Sequence, residues 1–276
     1  CIPSKQGLPY AIDADGSVWR TYPFIERART YDMITSENQC VEAAKAFGEF
    51  QKLTADLGGE PLFETIPNFH NTKVRYETLV AAIEKDEHNR AKDVAKEIEW
   101  FMTRQAEGST VVDLLASGEI PMRVTHNDTK LNNVMLDDVT GEGICVIDLD
   151  TTMNGSAVYD FGDMVRTATS PVAEDEVDTS KIHMQPHMYE ALISGYLSSA
   201  KAFLTPKEIE LLPFAGKLLT IECGTRFLAD YLMGDVYFKI HRDGHNVDRA
   251  RSQMALTESI ESQMDTMKEI AAKYSS

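Results

Sequence analysis

The stretch Thr125-His126-Asn127-Asp128-Thr129-Lys130-Leu131-Asn132-Asn133 constrains the fold of this chain more than any other. A short extended run, Met122 to Thr125, leads into it. A continuous apolar run, Gly143-Ile-Cys-Val-Ile147, follows it and ends in Asp148. Two β-prone runs flanking a polar loop predict strands that fix the loop at their ends. His126, Asp128, Lys130, Asn133 and Asp148 then belong to one locality.

His-x-Asp with an Asn five residues after the Asp is the spacing of a phosphoryl-transfer catalytic loop. Such chemistry needs one carboxylate to accept or orient the attacking hydroxyl, here Asp128. It also needs an Asn oxygen and a second carboxylate, Asn133 and Asp148, to hold Mg²⁺ against nucleotide phosphates. Lys130 supplies a point charge for the transferring group, and His126 is read as a packing and backbone-orienting residue. Asp160-Phe161-Gly162 spells a kinase metal motif, but it lies too far beyond Asn133 and not at a strand end. Asp148 is the better metal ligand on spacing. The competing reading leaves Asp128 and Asp148 as loop carboxylates and Lys130 as a solvated charge.

Composition narrows the partners. Of the 276 residues 43% are hydrophobic and 26% charged, enough apolar material for a folded core. The net charge of -17 argues against a broad nucleic-acid face. Cys1, Cys40, Cys145 and Cys223 are scattered without metal-ligand spacing, which fits reduced thiols and a cytoplasmic protein. Cys1 alone would also fit a mature lipoprotein. No apolar run reaches membrane-span length, so no membrane partner is expected.

Along the chain, Pro9 to Ile12 and Ser17 to Ile25 read as a hairpin about an Asp13–Gly16 turn. Such a hairpin needs a larger sheet to be stable. Helices are predicted over 36–56 (Cys40, Ala43, Phe47, Phe50 and Leu53 inward), over 71–84, and over 93–105. After Pro186 the chain reads helical, with a capping box at Thr205-Pro206-Lys207-Glu208 and one last helix from about Asn246. No Gly-rich phosphate loop and no matching strand Lys precede Asp128. Missing N-lobe residues upstream of Cys1 are therefore expected.

These residues carry a resemblance. Trp19 through Glu26, Ala46 through Gln51, Glu64 through His70, Arg123 through Asn133, Ile147 through Thr151, Asp160 through Asp163 and the long block Glu210 through Phe238 are similar to the N-acetylhexosamine 1-kinases. These form a branch of the aminoglycoside phosphotransferase, protein-kinase-like group. The resemblance implies an α+β kinase-like fold, with residues 1–26 an N-lobe remnant (hairpin and hinge) and 27–276 a mostly helical C-lobe. It implies ATP, Mg²⁺ and phosphorylation of the anomeric hydroxyl of GlcNAc or GalNAc. It places Asp128 as base, Asn133 and Asp148 on the metal, and Asp150, Arg226 and Tyr237 around the sugar. Phe24, Ile25 and Glu26 would meet adenine, and Asp160 would brace the catalytic loop. Family members carry a whole N-lobe, so this chain alone is expected to fold without turning over substrate. Arg226 stands four residues before Asp230, where an internal ion pair is a direct competitor, and Tyr237 is also compatible with a core position. The alternatives are a kinase of another small alcohol (an aminoglycoside, choline or homoserine) and a non-catalytic pseudokinase.

Overall fold

Asp13 builds the first turn with its own carboxylate. Its oxygens accept the backbone N–H groups of Asp15 and Ser17 and the Trp19 indole N–H at 2.7 Å. This pins β1 (Ala11–Ile12) antiparallel to β2 (Val18–Trp19). The pairing is two residues long on each side, shorter than the β-prone runs around it. The computed structural model describes residues 1–275, and an extended strap carries the chain from this hairpin into β3 (Ala28–Arg29).

Ser36 accepts the Gln39 N–H and starts α1 (Glu37–Thr54). Its buried stripe runs through Cys40, Ala44, Phe47 and Gln51 at helical spacing. Leu53 is 71% exposed, contrary to the expected pattern. Two positions past Gln51, it is turned roughly 200° from that stripe. Asn71 caps α2 (Thr72–Lys85). The helix expected over 93–105 is broken instead: a 3₁₀ turn at Ala91–Val94 precedes α3 (Ala95–Met102), and α4 (Gln105–Gly108) and α5 (Thr110–Ser117) follow. Val94 and Phe101 still point into the core.

Two small antiparallel strand groups hold the central loop. β4 (Arg123–Thr125) pairs with β7 (Met153–Gly155), Thr125 opposite Met153. β5 (Val134–Asp137) lies between β3 and β6 (Gly143–Val146). The loop at 126–133 therefore bridges two separate sheets. β6 stops two residues short of Asp148, and its Ile144 is 46% exposed, so this strand is less apolar in context than in sequence. A Cβ on Gly155 would meet Thr125 Oγ1 at 2.4 Å, so only glycine lets β7 approach this closely.

The remainder is helical: α6 (Ala157–Ala168), α7 (Pro186–Ala200), α8 (Pro206–Leu232), α9 (His245–Ser262) and α10 (Met264–Ser275). The single last helix of the sequence reading is two. Gln263 separates them, its amide N–H donating to Met184 O at 2.9 Å, so a tertiary anchor interrupts an otherwise helical pattern. The Thr205–Glu208 capping box starts α8, and Glu208 reaches on to the Arg123 guanidinium at 2.6 and 2.8 Å. That buried pair ties the start of α8 to the strand leading into the central loop. One apolar cluster joins α1, α6, α7 and the first half of α8; a second joins α2, α3 and the second half of α8. Residues 1–26 contribute to neither. Among the described residues no helix is long and apolar enough to cross a membrane.

Candidate active site

The loop is held from below by one buried carboxylate. Asp160, in the first turn of α6 and fully buried, accepts the His126 N–H at 3.0 Å, the Asn127 N–H at 2.8 Å and the Gln51 amide at 2.7 Å. Burial pushes this carboxyl up, and His126 and the three N–H donors pull it back towards the ionised form. Gln51 is oriented in turn by the Tyr196 hydroxyl, which donates to Oε1 at 2.5 Å. Two successive backbone N–H groups converge on one carboxylate because Asn127 adopts a left-handed φ of 65°, a conformation Asn tolerates well. Its side-chain amide closes the turn on Thr125 O and Thr151 O.

His126 is packed edge-on against Phe47 and Phe50. Its Nδ1 accepts the Asp128 N–H at 3.3 Å, and its Nε2–H donates to Ile147 O at 2.8 Å. Both ring nitrogens are spent on backbone, which leaves this ring no role as a base.

Asp128 follows, half-buried, with Lys130 Nζ 3.2 Å from Oδ1. Burial opposes the charge on Lys130, but Asp128 and Asp163 outweigh it and hold the ammonium above the ordinary lysine range. Asn133 donates its Nδ2–H to Asp128 O at 2.8 Å and to Oδ2 at 3.2 Å. Its Oδ1 is thereby turned away from Asp128. Asn133 O also accepts the Ile147 N–H at 2.9 Å, which brings Asp148 alongside. Asp148 is exposed, at a left-handed φ of 59°, and its carboxylate has no hydrogen-bond or ion-pair partner among the described residues. An amide oxygen and an unpaired carboxylate are hard oxygen donors of the kind Mg²⁺ takes, so these residues fit that cation.

Asp128, Lys130, Arg226 and Tyr237 line one cleft of about 450 Å³. Arg226 does not pair with Asp230. That carboxylate instead accepts the N–H groups of Val236, Tyr237 and Phe238 and the Asn246 amide, folding the 236–238 segment over the end of α8. The Arg226 guanidinium lies against the rings of Phe69, Tyr237 and Phe238 at 4.9, 5.7 and 5.4 Å, and forms no hydrogen bond to a described residue. Tyr237 is 59% exposed and is not a core residue. Asp150 stands apart: it is outside this cleft, is paired with Arg20 of the strap, and its carbonyl accepts the Thr65 hydroxyl. In the strap itself Phe24 is 89% exposed, Ile25 half-buried and Glu26 exposed.

Spacing alone gave no sign of two further groups in the cleft wall. His70 Nδ1 lies 2.7 Å from Glu222 Oε1, its Nε2 lies 3.0 Å from Asn127 O, and Thr72 donates to Glu222 Oε2 at 2.6 Å. Both partners of the ring are acceptors, so His70 carries two protons against an ionised Glu222. Burial works against both charges, yet the pair overrides it: His70 is raised and Glu222 lowered. Asp163 is also buried, with Arg166 on Oδ1 at 2.9 Å and Oδ2 without a partner. His70 and Glu222 are 152 residues apart, and no local pattern joins them.

A half-buried carboxylate, a paired lysine and two oxygen donors thus lie together on a loop braced by a buried aspartate. The chain belongs to the phosphotransferase enzyme family (APH), which matches residues 5–199. Its fold is similar to that of an aminoglycoside phosphotransferase from Alicyclobacillus acidocaldarius subsp. acidocaldarius DSM 446, at TM-score 0.63 and 12% identity over 98% of this chain and 76% of that one. It is also similar to a microcompartment-associated aminopropanol kinase (TM-score 0.52, 13% identity, 96% and 75% covered). A third similar structure is the ADP-bound aminoglycoside phosphotransferase APH(2'')-Ib (TM-score 0.50, 15% identity, 91% and 75% covered).

Proposed function

We propose that this phosphotransferase is a small-molecule kinase that moves the γ-phosphoryl group of ATP to the anomeric hydroxyl of an N-acetylhexosamine, GlcNAc or GalNAc. The observation that carries this reading is Arg226: a guanidinium stacked among three rings, with no hydrogen-bond partner among the described residues, in the same cleft as Asp128. A forked donor suits hydroxyl and acetamido oxygens. A polycationic acceptor would meet a like charge there, despite the protein's net charge of -17.

In this reading Asp128 accepts the proton of the attacking hydroxyl, and the amide of Asn133, donating to its Oδ2, keeps the carboxylate oriented. Lys130 lies against Asp128 and sits where charge builds on the transferring group. Asn133 Oδ1 and Asp148 would hold Mg²⁺, which when bound neutralises phosphate charge. Phe24, Ile25 and Glu26 would meet adenine through backbone. Tyr237 and Arg226 would bind the sugar, with Asp150 reaching it only after leaving Arg20.

Phosphorus NMR of the product tests this, with the protein expressed from its complete gene and offered ATP with GlcNAc, GalNAc and kanamycin. A sugar 1-phosphate and no phosphorylated aminoglycoside is expected. Arg226→Ala should raise KM for the sugar about tenfold or more, with KM for ATP little changed. Phosphorylated kanamycin without sugar 1-phosphate would overturn the proposal in favour of an amine-bearing acceptor.

A further inference from the structure

Below the catalytic loop lies a second cavity of about 310 Å³. Lys130, Arg166 and Glu174 line both it and the cleft, and so form the partition between them. This partition is rigid, because the buried Arg166 guanidinium is held by Asp163 on one side and Glu174 on the other. The charged groups of the cavity wall, Asp32, Lys130, Arg166 and Glu174, sum to zero formal charge.

Two residues with primary-amide side chains, Asn132 and Gln253, line this space. Gln253 is 2% exposed, and Asn132 Oδ1 and Gln253 Oε1 are both buried without a hydrogen-bond partner among the described residues. A buried amide in this condition is unfavourable unless something enters to pair with it. Met33, Ile34, Leu131 and Leu256 supply apolar wall around the two amides.

We infer that this cavity is a second binding site, for a neutral polyol-type molecule of about monosaccharide size. Each amide offers a donor and an acceptor together, which hydroxyl groups match. The balanced wall favours an uncharged occupant, and the volume falls at the small end of ligand pockets. The occupant would touch Asn132, which lies between Lys130 and Asn133 on the catalytic loop. Ordered water is the competing occupant. None of this depends on the acceptor proposed above.

The test uses the ¹⁵N-labelled 276-residue chain, with the side-chain amide resonance of Gln253 assigned by its loss in Gln253→Met. Four probes are titrated: glycerol, erythritol, myo-inositol and methyl α-glucoside, the last having no free anomeric hydroxyl to phosphorylate. At least one should move the Asn132 and Gln253 amides together and saturably, with a Kd of about a millimolar or tighter for so small a ligand. Gln253→Met, nearly isosteric, should weaken that binding about tenfold, and Arg226→Ala should leave it unchanged. If Gln253→Met fails to fold, Asn132→Leu should give the same loss. No movement with any probe would assign the cavity to water and overturn the inference. Binding lost in Arg226→Ala but kept in Gln253→Met would overturn it too, by locating the probe in the cleft.

Discussion

Single side chains at this site are fixed mainly by what their neighbours can accept or donate. His126 gives both nitrogens to backbone, and Asp128 is the proton acceptor in the function proposed above. Asp128→Asn should preserve the fold by circular dichroism and lower turnover by about two orders of magnitude or more; near-parental activity would remove Asp128 from the reaction. The His70–Glu222 pair makes a second prediction, about pH. His70 is raised, so its stabilising share is complete below its ordinary value of 6.5 and is lost as pH rises through the folded-state value. Glu222 is lowered, so its share is complete above 4.5 and is lost as pH falls. Between those values the pair contributes fully. The thermal midpoint of the parent protein should therefore fall on going above pH 6.5 by more than that of Glu222→Gln, and parallel curves would contradict the charged pair. That Asp128, Lys130, Asn133 and Asp148 lie together was legible because their spacing is local and set by the loop itself. His70, Gln51 and Glu222 were not, since each acts on the loop from a distant part of the chain and looks like an ordinary helix or loop residue in sequence.

Among the elements, caps and turn chemistry were the readable part. The Asp13–Gly16 turn and the Thr205–Glu208 box stand where residue type alone puts them. The errors lay where tertiary contacts interrupt a period: Gln263 splits α9 from α10, and the 93–105 helix divides in three. The capping box makes a graded prediction. Thr205→Ala removes one cap hydrogen bond and should cost about 1 kcal/mol. Glu208→Ala also takes the carboxylate away from the largely buried Arg123 guanidinium, leaving it only Phe203 O, and should cost about 3–5 kcal/mol by urea denaturation. Equal losses would mean that Glu208 serves only as a cap. At the other face of the core, a Cβ on Gly195 would sit 2.2 Å from Val41 O, so Gly195→Ala should push α1 from α7 and cost about 1–3 kcal/mol.

For the molecule as a whole, the two apolar clusters share α8, and neither can lose its half of that helix without disturbing the other. Residues 1–26 share nothing with either cluster, and their exposed Ile12, Val18, Trp19 and Phe24 leave the strap held by local turns and the Arg20–Asp150 pair. Dilute protease should therefore cut before residue 30 first, and the remaining chain should keep the parent's single thermal transition; an early cut within α8 or a lowered midpoint after trimming would contradict this division. α8 also carries Glu208 under β4, Glu222 behind His70, Arg226 in the cleft and Asp230 under the 236–238 segment. Their directions are set by residue count alone, at roughly 100° per position. Removing one residue between Glu208 and Glu222 would swing the last three away from their partners together, while most side chains on the outer face of the helix could change freely. The helix thus tolerates changes of identity far better than changes of length, and homologous chains that keep this chemistry should differ in the spelling of α8 without gaining or losing a position inside it.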